Sequence, residues 1–160
     1  MHKRLLAVAL ILSGTAAAQR VSVTIKCVKP DQEHSIPAGD QPGHVYSISH
    51  TTCTYTKPGP LAGLNPTQGA DTVFTEIKGT RLEWNGVYTE TYSNGDKLYY
   101  SHHGNGTLKN NTFESGKDFY EVTGGTGKLK PYKGNGSCTI KGLPDGGAED
   151  ECTGEFTKKK

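Results

Sequence analysis

Twelve of the chain's 21 glycines lie between Gly104 and Gly154, and that density rules out a helical second half. Each glycine inside a helix costs about 1 kcal/mol relative to alanine. Gly104-Asn-Gly106, Gly125-Thr-Gly127 and Gly134-Asn-Gly136 set glycines two apart, hence on one face of a strand. Glycine inside strands marks bulges, bends or a close approach of backbone. Strongly coiled strands of that kind close a small barrel. Upstream, no window longer than ten residues repeats apolar positions at three- and four-residue spacing, so helical signals are nearly absent. Seven or eight short strands with regular turns leave a sandwich or a barrel. The glycine corners favour the barrel: all-β, antiparallel, of about eight strands and stapled by disulfides.

The first 18 residues have the layout of a secretory signal. Met1-His-Lys-Arg4 is followed by the apolar run Leu5–Leu12 and the small residues Ala16-Ala17-Ala18, a basic, apolar and cleavage-site order. A spanning helix needs roughly 20 apolar residues, which this run does not reach. No cysteine follows it, which disfavours a lipoprotein anchor. Cleavage after Ala18 leaves one domain, 19–160, whose residues 157–160 are expected to form a frayed basic tail. Lys3 and Arg4 leave with the signal, so 16 basic residues face 16 acidic ones in the mature chain. A neutral surface has no long-range field to gather nucleic acid or an anionic bilayer. Neither is expected as a partner after cleavage.

Apolar residues make up 40 of the 142 mature residues, a thin supply for a core, and thin exported domains rely on covalent staples. Cys27, Cys53, Cys138 and Cys152 admit three pairings. One turn chooses between them. Pro144-Asp-Gly-Gly147 sits between two strand-like runs, and the midpoint of positions 138 and 152 falls inside it. In a symmetric hairpin those two residues face each other at a separation near that of a disulfide. This predicts Cys138–Cys152 and leaves Cys27–Cys53. No short C-x2-4-C pair is present for zinc, and no C-x-x-C for redox chemistry.

Strands are expected at 21–25, 45–56, 71–78 and 81–92, with loops at 30–42 and 57–69, where Pro and Gly are dense. Asn94-Gly95 between β-rich runs predicts a two-residue type I′ hairpin. With Ser93 facing Asp96, counting outward sets Glu90 against Tyr99, Tyr88 against Ser101 and Gly86 against His103. One face then carries Trp84, Tyr88, Glu90, Tyr92, Lys97, Tyr99 and His103. If that face lines the barrel, aromatic walls surround one carboxylate and one imidazole, the make-up of a small-ligand pocket with acid–base capability. Trp84, Tyr88, Glu90, Tyr99 and His103 are therefore the candidate ligand-binding residues. Val87, Thr89, Leu98 and Tyr100 compete for the interior from the other face.

Two further motifs are weaker. Gly124-Gly-Thr-Gly-Lys128 lacks the phosphate-loop spacing and a following Ser or Thr, so a strand corner is expected. His102-His103 with His44 and His50 resembles the start of a metal site, but adjacent strand residues point to opposite faces. No metal and no cofactor are expected, and no catalytic residue is assigned.

The run from Gly124 to Cys138 (Gly-Gly-Thr-Gly-Lys-Leu-Lys-Pro-Tyr-Lys-Gly-Asn-Gly-Ser-Cys), with Asn94–Gly106 before it and Asp150–Phe156 after it, resembles the allene-oxide-cyclase-like barrel group. That group includes dirigent proteins and many exported bacterial proteins. The similarity covers residues 84 to 156. It implies an eight-stranded, lipocalin-like barrel whose interior holds a small, largely apolar molecule, a secreted or periplasmic bacterial setting, and a homo-oligomer, specifically a trimer. The functional expectation is a binder of a small hydrophobic or aromatic molecule. Its rivals are a cyclase or isomerase acting inside the barrel, and an exported protein-binding or inhibitor module.

Overall fold

The computed structural model describes residues 18–159; the expected signal peptide, apart from Ala18, lies outside them. Nine strands follow in order: β1 (Gln19–Cys27), β2 (Gln32–Pro37), β3 (His44–Lys57), β4 (Pro66–Lys78), β5 (Arg81–Tyr92), β6 (Lys97–Lys109), β7 (Thr112–Gly125), β8 (Tyr132–Gly142) and β9 (Ala148–Lys158). Every pairing is antiparallel, and the sheet runs β1-β9-β8-β7-β6-β5-β4-β3-β2. β1 also pairs with β3, from Thr24↔Lys57 to Cys27↔Cys53. That seam closes eight strands into a barrel and leaves β2 as an extra strand on the β3 edge.

Both disulfides join residues that face each other across adjacent strands, Cys27–Cys53 and Cys138–Cys152, each with a Cα–Cα distance of 4.0 Å. The pairing expected from the hairpin midpoint is the one observed. Closed barrels leave no free edge, and here the first staple sits on the closing seam.

Three expectations need correction. β2 occupies residues 32–37 inside the expected 30–42 loop, because the chain leaving β1 continues along β3 and pairs Gln32 to Pro37 with His50 to Val45. The expected frayed tail is ordered through Lys158: Thr157 pairs with Lys133 and Lys158 with Tyr132. The third concerns register. Ser93, Asn94 and Gly95 form a three-residue loop, closed by Tyr92 N–H donating to the Asp96 carbonyl at 2.9 Å. Only Gly95 has positive φ there, at 85°. Asn94 accepts the Asp96 N–H at 3.0 Å through its side chain, holding a tighter local turn. The register becomes Glu90↔Leu98, Tyr88↔Tyr100 and Gly86↔His102. A one-residue slip turns every side chain of a strand over. The left-handed two-residue turn occurs instead at Asn110-Asn111, with φ of 54° and 61°, between Lys109 and Thr112.

The barrel is plugged at one end. Leu61, Leu98 and Leu129 are fully buried there beside Tyr92, Tyr100 and Phe156. Leu61 comes from the expected 57–69 loop, which folds back through a Leu61–Leu64 bridge. Leu129 comes from a short 3-10 turn, Gly127–Leu129, at the expected strand corner. A second apolar group, Ile25, Cys27, Cys53 and Cys152, lines the disulfide side. Several inward glycines make room for rings. Tyr88 lies over Gly69, Trp84 over Gly104 and Gly116, and Tyr120 over Gly136 and Gly154, where a Cβ would overlap the ring.

Candidate site in the barrel interior

Inward parity on β5 places Leu82, Trp84, Tyr88, Glu90 and Tyr92 inside, and on β6 Leu98, Tyr100 and His102. Three expected site residues, Trp84, Tyr88 and Glu90, therefore sit in the interior. Tyr99 and His103 do not. The register places both on the outer face, where Tyr99 is 38% exposed and His103 stacks on Phe119. Tyr100 and His102 replace them.

Two polar networks lie in the interior. In the first, Tyr92 donates to Glu90 Oε2 at 2.8 Å, and Tyr100 donates to the same oxygen. Tyr55 and Tyr88 share a hydroxyl hydrogen bond at 3.0 Å. Burial pushes the Glu90 carboxyl up, against the pull of the Tyr100 and Tyr92 hydroxyls. Burial likewise pushes the Tyr88 and Tyr100 phenols above their ordinary value, so these rings act as neutral donors.

The second network is the more unusual chemically. Trp84 donates its indole N–H to Asp118 Oδ1 at 2.6 Å. His102 Nδ1 lies 3.1 Å from the same oxygen, and its Nε2 lies 3.0 Å from Asp71 Oδ1. Burial opposes the charged imidazole, but the hydrogen bonds and charges of Asp118 and Asp71 outweigh it and hold His102 up at about 10. His102 is thus an imidazolium between two carboxylates at neutral pH. Asp150, from β9, completes the group. Its Oδ1 is buried without a hydrogen-bond partner among the described residues. Burial, then the charges of Asp71 and Asp118, push its carboxyl up to about 7 despite the nearby His102. A carboxyl poised near neutrality beside a fixed cation and two anions is equipped to give or take a proton.

Sequence reasoning missed Asp71, His102, Asp118 and Asp150, although a signal for three of them is present. Asp71 is in phase with Val73, Asp118 with Tyr120 and Val122, and Asp150 with Cys152 and Phe156. A carboxylate in step with inward residues is a buried carboxylate. His44 and His50 join neither network: His44 bridges Asp40 and Glu76, and His50 bonds Thr72.

No family model matches the sequence, and no curated protein does either. Solved structures do match. The pterocarpan synthase dirigent protein GePTS1 superposes with a TM-score of 0.52 at 15% identity over 97% of this chain and 98% of that one. A second, PsPTS1, gives 0.51 at 14% identity over 90% and 97%. A protein of unknown function from the DUF3224 family of Shewanella oneidensis MR-1 gives 0.52 at 12% identity over 90% and 99%. At such identities the likeness is one of fold. The chain has the dirigent-like barrel fold, closed, antiparallel and eight-stranded with one added strand.

Proposed function

We propose that this is an exported barrel that binds a small aromatic or hydrophobic molecule carrying a polar edge, in the half of its interior that holds Asp71, His102, Asp118 and Asp150. The observation that carries this reading is the buried Asp150 carboxyl oxygen, which has no hydrogen-bond partner among the described residues. Burying a carboxyl without compensation costs several kcal/mol. A ligand that donates a hydrogen bond to this oxygen would recover part of that cost. Trp84, bonded to Asp118, and Tyr88 provide ring surfaces in the same interior. Two disulfides fit an oxidising compartment, in keeping with the signal-like first 18 residues.

A second reading, a cyclase or isomerase, draws on the same group. Asp150 titrating near 7 suits general acid–base work on a bound substrate, and two structural neighbours are named as pterocarpan synthase dirigent proteins. Native mass spectrometry of the protein, purified gently from its own host, tests both. The expected result is a co-purifying small molecule that Asp150→Leu releases while the barrel stays folded by circular dichroism. A bare protein, or a ligand indifferent to Asp150, refutes the interior site. Turnover of that molecule by the parent but not by Asp150→Asn distinguishes the enzyme from the binder.

A further inference from the structure

The outer face of the barrel carries a second arrangement. One register row crosses four strands as Phe74 on β4, Asn85 on β5, His103 on β6 and Phe119 on β7. Rings crowd both sides of Asn85. Phe74 stacks on Tyr46 with centroids 5.7 Å apart and planes at 18°. His103 stacks on Phe119 at 5.8 Å and 29°. Phe74 and Phe119 remain 44% and 48% exposed, so each stack is open at its outer edge. Between the stacks, Asn85 is short, and an open depression of about 560 Å³ forms there, bordered also by Glu76, Glu83 and Asn105.

The width of this slot follows from strand spacing. Phe74 and His103 sit two strands apart, about 9.6 Å at the usual interstrand distance. A planar ring in van der Waals contact on both faces needs roughly 7–8 Å. One ring fits, slightly tilted, and joins two stacked pairs into a five-ring column. The floor offers the Asn85 amide, a donor and an acceptor, to the edge of that ring. Charge at the border is acidic. Glu76 is already engaged by His44 and Lys78 at 2.8 Å each, whereas Glu83 forms no ion pair among the described residues. A positively charged group on the ligand meets the Glu83 carboxylate, and ring faces favour a cation as well.

We infer that the outer slot between Phe74 and His103 is a binding site for a planar aromatic amine, with the ring sandwiched between the two stacks and the ammonium group at Glu83. The test is a pair of probes that share a ring and differ in charge. Tryptamine and indole-3-acetate are titrated into the oxidised protein and followed by nitrogen–proton correlation spectra. Tryptamine is expected to bind saturably, with shifts concentrated at the Asn85 side-chain amide, His103 and Phe119, and about tenfold more tightly than indole-3-acetate. His103→Ala should weaken tryptamine about tenfold and His103→Phe should restore it, while Glu83→Gln should erase the preference between probes. These side chains point outward, so unchanged melting curves serve as the folding control. Absence of saturable binding, equal binding of the two probes, or binding unaffected by His103→Ala overturns the inference. So does a mass in solution that falls to monomer with Phe74→Ala, because the face is then an interface between copies of this chain.

Discussion

His102 on β6 reaches Asp71 on β4, 3.0 Å away, although β5 runs between the two strands. The ring crosses β5 at Gly86, its register partner, where a Cβ would collide with His102 Nε2 and the Thr72 carbonyl. The bond between two non-adjacent strands therefore exists because the residue beneath it has no side chain.

Gly86→Ala is accordingly expected to push His102 off Asp71. Loss of a charged hydrogen bond and displacement of a packed ring together should cost about 2–4 kcal/mol, read by urea unfolding. The His102 resonances should then titrate well below the parent value of about 10. An Ala variant with unchanged stability and His102 titration would show that the ring does not cross at this point.

Asp150 gives the barrel a pH dependence of definite sign. Its carboxyl is raised from 3.8 to about 7 in the folded state, so between those values the native protein holds a proton that the unfolded chain has released. Stability falls as pH rises across that window, by about 4 kcal/mol in total, and levels off above it. Relative to the parent, Asp150→Asn should gain nearly that amount between pH 4 and pH 8. Denaturation curves for both proteins at the two pH values check this; parallel pH profiles would refute it.

His102 contributes in the alkaline range. Its folded value of about 10 exceeds 6.5, so its share of stability is complete below pH 6.5 and disappears as pH passes through 10. His102→Gln should flatten the decline between pH 7 and pH 10. The comparison of melting temperatures across that range is the measurement.

The two staples should differ in consequence. Their sequence separations are 26 and 14, which the loop-entropy estimate converts to about 3.5 and 3 kcal/mol. Cys27–Cys53, however, lies on a seam of four register pairs, while Cys138–Cys152 lies in a ladder of eleven. Paired Cys→Ser changes at 27 and 53 should therefore remove amide-exchange protection from those amides of Ile25–Cys27 and Cys53–Tyr55 that face the seam, leaving the ones bonded to β9 and β4 protected. The same changes at 138 and 152 should leave the β8–β9 ladder protected. Equal patterns of exchange would contradict the seam argument.

Tyr100→Phe removes one of two hydroxyls that donate to Glu90 Oε2. A buried carboxyl losing a donor is expected to cost about 1–3 kcal/mol and to move Glu90 further up from its already raised position. A Glu90→Gln background should shrink the effect of Tyr100→Phe, and a double-mutant cycle measures the coupling. Additive losses would mean that the hydroxyl and the carboxyl act independently.

The sequence by itself determined the strand-forming second half, the partner of each cysteine and the all-β architecture. Those are local matters: glycine spacing, turn chemistry and the symmetry of a single hairpin carry them. It also placed Trp84, Tyr88 and Glu90 on one face of a strand, because parity within one strand is a property of that strand alone; that this face points inward came from the tertiary structure. Which residues of β6 join them was decided only in three dimensions. A three-residue loop closed by the Asn94 side chain, rather than a two-residue turn at Asn94-Gly95, exchanged Tyr99 and His103 for Tyr100 and His102. Closure then brought β4, β7 and β9 around the same axis, so that Asp71, Asp118 and Asp150, spread over 80 positions of the chain, came to surround one imidazole. No local pattern encodes that meeting, since it depends on the order in which the strands pair and on the seam where the sheet shuts.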